Sequence, residues 1–331
     1  AGHQAENTGE AGMDTSRRGF LAGAATAGLA AAALSARAQD APAKRWKCGL
    51  GLNGFSSSAD TFKKNYPIWE VLDFAAKAGF DGIELVDGWP MGWYPGPDEA
   101  GRIAALRRMY EQYGLRVYSM QTGGGDAHAA DADRRKAWLA RFRDDLRLCK
   151  ALGGDFLGVW PGGGLEGNRN VDQAIDRLAE SYREAAQICA DEGTFFSFEI
   201  EPPFIFNTLG HLQRILAAVD HPACKTNYDP SHFDLMWGSK GKPEEMLRAV
   251  GVQHIGHIHL TDTDGTIFGV TSKHLPCGEG HCDIAASLDV LWEGGYSGWV
   301  MIDGWMIEDV YRAASKGKDA IDAALKRHGA V

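Results

Sequence analysis

Eight short β-rich runs, separated by stretches with helical spacing, restrict the fold of this chain more than any other feature. The runs lie at Lys47–Asn53, Asp81–Asp87, Arg116–Gln121, Phe156–Pro161, Phe195–Glu201, Lys225–Pro230, Ile255–Asp262 and Gly298–Asp303. Between them, Ile68–Lys77 places Ile68, Val71, Leu72 and Ala75 on one helical face, and Ala137–Leu152 has helical periodicity with Leu139, Phe142, Leu146 and Leu148. Regular alternation of strand and helix predicts parallel strands joined by helical crossovers. Eight such units in a 331-residue chain fit an α/β fold, a single-domain (β/α)8 barrel of TIM-barrel architecture. A doubly wound open sheet is the runner-up.

The barrel pattern starts only after about residue 45. Residues 1–12 read as appended sequence ahead of Met13, and Ser16-Arg17-Arg18-Gly19-Phe20-Leu21 opens an Ala-rich apolar run that ends in Ala36-Arg37-Ala38. Paired arginines, a modest apolar segment and an A-x-A site predict a twin-arginine signal over 13–38, cleaved after Ala38, and hence a periplasmic protein with residues 39–331 as the catalytic domain. The apolar run Leu21–Leu34 is 14 residues of mostly Ala and Gly. A membrane span needs about 20 strongly apolar ones. The balance of 44 acidic against 34 basic residues, a net charge of −10, opposes nucleic-acid or anionic-membrane partners. Cys48, Cys149, Cys189 and Cys224 fall in apolar runs and read as buried thiols. Cys277 and Cys282 share a Gly-rich loop, where a disulfide stays open.

Gly49-Leu50-Gly51-Leu52-Asn53-Gly54 satisfies G-x-G-x-x-G literally. A dinucleotide site needs those glycines between a strand and a helix that follows at once. Here they read as the strand itself, with the next helical pattern some 13 residues later. Gly162–Gly164 lacks the Gly-Lys-Ser/Thr of a phosphate loop.

In a barrel of this kind chemistry sits at the C-terminal strand ends. The fifth run ends Phe198-Glu199-Ile200-Glu201, the sixth Tyr228-Asp229-Pro230-Ser231-His232, the seventh His257-Ile258-His259-Leu260-Thr261-Asp262, and the eighth Ile302-Asp303-Gly304-Trp305. A charged group emerging from an apolar strand is costly to bury unless partnered. Any one of these residues alone reads as a salt-bridge partner, but four consecutive strands ending this way point to a shared ion. Three carboxylates and one imidazole suit one Mn²⁺, Mg²⁺ or Co²⁺, with Zn²⁺ also admissible. Glu199 against Glu201, and His257 against His259, stay open on spacing alone.

These runs, with Gly278-Glu279-Gly280 ahead of Asp283, and Gly295-Tyr296-Ser297-Gly298-Trp299 after it, resemble the xylose isomerase-like TIM barrel superfamily, the sugar phosphate isomerase/epimerase group, from about Lys47 to Arg327. The resemblance implies metal ligands at Glu199, Asp229, His259 and Asp303, the last standing where the family has glutamate. It implies that His232 meets metal or substrate oxygen, and that Glu199, Asp303 and His232 form the catalytic set. His257, Glu201 and His274 become substrate-facing or ligand-orienting groups.

An ion holding adjacent carbonyl and hydroxyl oxygens acidifies the carbon between them and stabilises an enediolate. Isomerisation, epimerisation and β-elimination all start from that step. Trp89, Trp93, Tyr94, Trp160, Trp237 and Trp305 fall near strand ends, where aromatic faces suit sugar C–H surfaces. With Trp89, Trp160 and Trp305 in the pocket, the expected partner is a small carbohydrate; self-association stays open. Export and the lack of an Arg/Lys cluster favour a non-phosphorylated sugar or keto-sugar. The leading expectation is a metal-dependent sugar isomerase or epimerase. A lyase or hydratase acting on a 3-keto-sugar or 3-keto-glycoside is the alternative, ahead of a non-catalytic sugar-binding module. A nuclease is disfavoured by charge and by Asp87 and Gln121 at the ends of the second and third runs.

Overall fold

All eight β-rich runs become strands, and pairing of the first with the last closes the sheet. The computed structural model describes residues 46–86, 94–236 and 242–330. In chain order the strands are β1 (Lys47–Gly51), β2 (Gly82–Leu85), β3 (Arg116–Gly123), β4 (Phe156–Trp160), β5 (Phe196–Phe198), β6 (Cys224–Tyr228), β7 (Ile255–Leu260), the short hairpin β8 (Ile267–Phe268) and β9 (Thr271–Ser272), and β10 (Trp299–Ile302). The barrel runs β1-β10-β7-β6-β5-β4-β3-β2 with every pair parallel. The helices are α1 (Leu52–Phe62), α2 (Ile68–Lys77), α3 (Ala100–Glu111), α4 (Ala132–Leu152), α5 (Val171–Asp191), α6 (Leu209–Val219), α7 (Pro230–Asp234), α8 (Pro243–Val250), α9 (Ile284–Glu293) and α10 (Val310–Arg327). Residues 1–38, Asp87, Trp89, Trp93 and Trp237 lie outside the described residues. No described helix is long and apolar enough to cross a membrane.

Local chemistry sets the helix limits. Asp131 caps α4 by accepting the N–H groups of Asp133 and Arg134, and Gly153 ends it at φ 99°, a left-handed turn that glycine adopts without strain. The face of α4 carrying Phe142 and Leu146 is buried, with Leu139 and Leu148 buried at its two edges. On α2, Val71, Leu72 and Ala75 are buried and Ile68 partly so.

The first run ends earlier than its composition suggested: β1 stops at Gly51 and α1 begins at Leu52, with no intervening loop. The glycines therefore do precede a helix, and a different observation accounts for them. A Cβ on Gly49 would strike the Tyr118 ring, one on Gly51 would strike Asn53 and Met301, and one on Gly54 would meet the Gly304 backbone. They make room for barrel neighbours. The fifth run is also shorter than expected, leaving Glu199 and Glu201 beyond the end of β5. The β8–β9 hairpin has no counterpart in the sequence reading.

The floor of the barrel is aromatic. Tyr118 and Trp299 stack at 3.8 Å and 9°, and Phe156 stacks on Phe195 at 4.9 Å. In the β2–β3 ladder the register slips between Ile83 and Glu84, which pair with Val117 and Ser119. Such a bulge changes which residues face inward. It accommodates inward contacts from both Tyr118, to His257, and Gln121, to Glu199, although they are three apart. All six cysteines are buried free thiols, Cys277 and Cys282 included.

Beyond β7 the chain is held by Asp262, which is fully buried. Its Oδ2 accepts the N–H groups of Gly278 and Gly280 at 3.0 Å, and its Oδ1 those of Thr263 at 2.8 Å and Cys282 at 3.0 Å. Removing it strands four backbone donors. Asp262→Ala is expected to lower stability by about 3 kcal/mol, and Asp262→Asn, which keeps one acceptor, by less. Urea unfolding checks this: the midpoint falls with an unchanged slope, and an unchanged midpoint for Asp262→Ala refutes it.

Candidate metal centre

Four neighbouring strands deliver the polar cluster at the barrel mouth. Glu199 follows β5 and extends its ladder, its N–H donating to Val159 at 3.0 Å. Asp229 follows β6, His259 lies in β7, and Asp303 follows β10, its N–H donating to Leu260 at 3.2 Å. All four side chains are buried.

The three carboxylates share one pattern. Each commits one oxygen to protein donors and turns the other toward the same space. Glu199 Oε2 lies 3.3 Å from its donor Gln121 Nε2, while Oε1 lies 2.7 Å from His259 Nδ1. Asp229 Oδ1 accepts from the N–H groups of Ser231 at 2.7 Å and His232 at 3.4 Å, which also caps α7. Asp303 Oδ1 accepts from Asn53 Nδ2 at 2.9 Å and from the Trp305 N–H at 2.8 Å, and Oδ2 lies 3.6 Å from His259 Nδ1. Among the described residues Glu199 Oε1, Asp229 Oδ2 and His259 Nδ1 take no hydrogen bond of good geometry, and one ligand atom from each of these residues lies within 4.8 Å of the others. Buried polar atoms left open in this way are what a resident cation requires, and two carboxylate oxygens with one imidazole nitrogen fit a divalent ion, with Asp303 Oδ2, outside that grouping, as the fourth candidate 3.6 Å from His259 Nδ1.

His259 is oriented from behind. Its Nε2 stands 3.4 Å from Glu84 Oε1 and 3.3 Å from the Asn227 amide. The other oxygen of Glu84 lies 3.4 Å from His257 Nδ1, and His257 Nε2 lies 3.2 Å from the Tyr118 hydroxyl. A carboxylate on the far nitrogen fixes the tautomer and presents Nδ1 to the cluster. His257 thus lies one layer below the cluster, which separates the two histidines that spacing left equal.

His232 is fixed through Nδ1, 2.9 Å from Ser272 Oγ, which is 2.8 Å from Ser231 Oγ. Its Nε2 points toward Asp229 Oδ2 at 3.6 Å and Glu199 Oε1 at 3.9 Å. His274 sits opposite, 3.9 Å from Asp229 Oδ2 and 3.8 Å from Asp303 Oδ1, with neither ring nitrogen hydrogen-bonded among the described residues. Glu201 is partly buried on the same rim. Trp160, at the end of β4, meets Phe204 edge-on at 5.5 Å. Trp305 stands two residues past Asp303, its buried indole N–H unpartnered among the described residues.

Burial raises the cost of every charge here, and the neighbours decide the outcome. For Glu199, burial pushes the carboxyl up, but His259, His232 and Gln121 together bring it down to about 2. Asp229 is pushed well above the usual range by burial and then by the Asp303 and Glu199 charges. Glu201 is pushed up to about 8, by burial first and Glu199 second. Burial lowers His232 to about 3 and also lowers His274.

Known proteins place this geometry in context. Residues 72–326 match the family described as xylose isomerase-like TIM barrel. The chain belongs to that family. A 3-dehydroshikimate dehydratase of Pseudomonas putida is 24% identical over 258 residues, covering 76% of this chain and 38% of that protein. A D-tagatose 3-epimerase-like protein superposes with a TM-score of 0.66 at 21% identity, over 85% of this chain and 99% of the other. The IolI protein, whose crystal structure contains a zinc atom, gives 0.65 at 17% identity, over 85% and 98%. The chain spans less than two thirds of the length of the curated relatives it matches first.

Sequence reasoning missed Glu84, Asn53, Asn227 and Ser272, and gave Gln121 no role. Glu84, in Gly-Ile-Glu-Leu, carried the same signal as the later strands: a charge inside an apolar run. Because Glu84 aims His259, Glu84→Gln is expected to weaken divalent-ion affinity by about 10- to 100-fold. Calorimetric titration with Mn²⁺ and Zn²⁺ checks it; wild-type affinity in the variant would remove Glu84 from the assembly.

Proposed function

We propose that this protein is a divalent-metal-dependent sugar isomerase or epimerase that removes a proton next to a carbonyl of a non-phosphorylated sugar or keto-sugar. The observation that carries the reading is the shared pattern of Glu199, Asp229 and Asp303, each with one oxygen held and one directed to the point that His259 Nδ1 also faces. A divalent ion held there polarises adjacent carbonyl and hydroxyl oxygens and makes the C–H between them acidic. Glu199, whose Oε1 faces the same space, is the main base in this reading, with Glu201 or His257 as the alternative. His232, fixed by Ser272, meets a substrate oxygen, and His274 and the Trp305 indole offer further donors. Trp160 supplies an aromatic wall. Trp89 belongs to the proposal on sequence grounds alone. Twin-arginine export to the periplasm is likewise part of it, carried by Arg17-Arg18 and the A-x-A site.

A lyase acting on a 3-keto-sugar or 3-keto-glycoside is the second reading, favoured by one observation. Asp303 is a methylene shorter than glutamate, and its Oδ1 is occupied by Asn53 and Trp305. That leaves Oδ2 for an ion and no second oxygen of Asp303 to protonate the opposite sugar face. One base on one face suits isomerisation or β-elimination better than stereoinversion.

Deuterium exchange separates these outcomes. With Mn²⁺ and free or 3-keto sugars in D₂O, wild type is expected to incorporate label at the carbon next to the carbonyl, and product NMR then distinguishes isomer, epimer and elimination product. No exchange with any of them, at full metal loading, would sink the enzymatic reading. Asp229→Ala is expected to lose the ion. His232→Ala is expected to keep it while turnover falls at least a hundredfold, the scale of a lost acid–base or positioning group; loss of the ion from His232→Ala would make that residue a ligand instead.

A further inference from the structure

A second cluster of ligand-type side chains lies outside the barrel mouth. Asp234 is the last residue of α7, and His281 and Cys282 follow the Gly278–Gly280 loop. His281 Nε2 is 2.9 Å from Asp234 Oδ2, and an oxygen, a nitrogen and the Cys282 sulfur of these three residues all lie within 4.8 Å of one another. Cys282 is 9% exposed, and among the described residues its Sγ makes one long hydrogen bond, 3.8 Å, to the Pro230 carbonyl. His281 is exposed, so the cluster opens to solvent. Gly265, at φ +78°, lies against the pair: a Cβ there would come within 2.8 Å of His281 Cε1 and 3.5 Å of Asp234 Oδ2. The loop thus packs onto the cluster as closely as glycine permits.

We infer that Asp234, His281 and Cys282 form a second metal site, distinct from the barrel-mouth cluster and selective for a borderline-soft ion of the zinc class. One sulfur, one nitrogen and one oxygen are a tetrahedral zinc set with the fourth position left to water. The barrel-mouth cluster offers only oxygen and imidazole, so the two sites differ in hardness. Binding requires loss of the Cys282 thiol proton, which coordination to such an ion brings about. The ion would join two pieces of chain that no covalent bond links. One is α7, which begins beside Asp229 and carries His232. The other is the loop whose Gly278, Gly280 and Cys282 N–H groups are gathered by Asp262. Its role is a brace for residues that face the substrate, with no part in the chemistry.

Cobalt reads this site selectively, because only a thiolate ligand gives an intense thiolate-to-cobalt charge-transfer band in the near ultraviolet. The metal-free full chain titrated with Co²⁺ is expected to develop that band, saturating by two equivalents because the barrel mouth also takes cobalt and at one equivalent in Asp229→Ala, and Zn²⁺ is expected to displace it. The band should persist in Asp229→Ala, which disables the barrel-mouth cluster, and vanish in both Cys282→Ser and His281→Ala. His281 is exposed, so its removal leaves the fold intact. No charge-transfer band in wild type, or a band undiminished in His281→Ala, overturns the site whatever happens at the barrel mouth.

Discussion

Mutual repulsion among Glu199, Asp229 and Asp303 is the constraint on which the rest of the structure depends. Two like charges 4 Å apart cost about 4 kcal/mol at an effective dielectric of 20. The barrel brings three carboxylates together where almost no water reaches them. Only a cation, or a bound proton, makes such an arrangement tolerable. The fold answers half of the problem by itself, giving each carboxylate a donor on one oxygen. Those donors come from the segments that follow or face the strand ends: Gln121 on β3, the first turn of α7, and Asn53 on α1. The local course of the chain at the mouth is thus tied to the electrostatics of the cluster.

Below the mouth the barrel is layered. The Tyr118–Trp299 stack seals the floor, the Glu84–His257 pair forms a polar middle, and the carboxylates sit above. The middle layer is a buried charged group with few partners, which a hydrophobic filling would replace at lower cost. Its retention is explained by His259, whose ring it turns. One hydroxyl, one imidazole and one carboxylate thus link the floor to the cluster by direct contacts.

Much of this was legible in the sequence, for identifiable reasons. Alternating β-rich and helical runs fixed the barrel because each strand is buried on both faces and each helix on one. Asp229, His259 and Asp303 stood out because consecutive apolar runs all end in charge, and the choice of His259 over His257 came from the family resemblance. Glu84 carried the same mark but sat in the middle of its run, where a single charge reads as a misplaced surface residue. Asn53 was hidden by Gly49–Gly54, whose small residues extended the apparent strand past Gly51 and concealed the start of α1. Gln121 was hidden by the β3 bulge, since alternation from Tyr118 places it on the wrong face. The hairpin carrying Ser272 could not be read at all, because its strands are two residues each and pair only with one another.

The bond between Asn53 and Asp303 spans 250 residues. It joins the element after the first strand to the residue after the last, across the seam where β1 meets β10. Contacts of such sequence separation bear the largest loop-closure entropy and form late unless many neighbours act together. Glu199, Asp229 and His259 stand on β5, β6 and β7, and Asp303 is held there by Leu260 and Trp305, but its Asn53 donor arrives only when the seam shuts. Closure of the barrel and delivery of the amide that holds Asp303 Oδ1 from the far end of the chain are therefore one event.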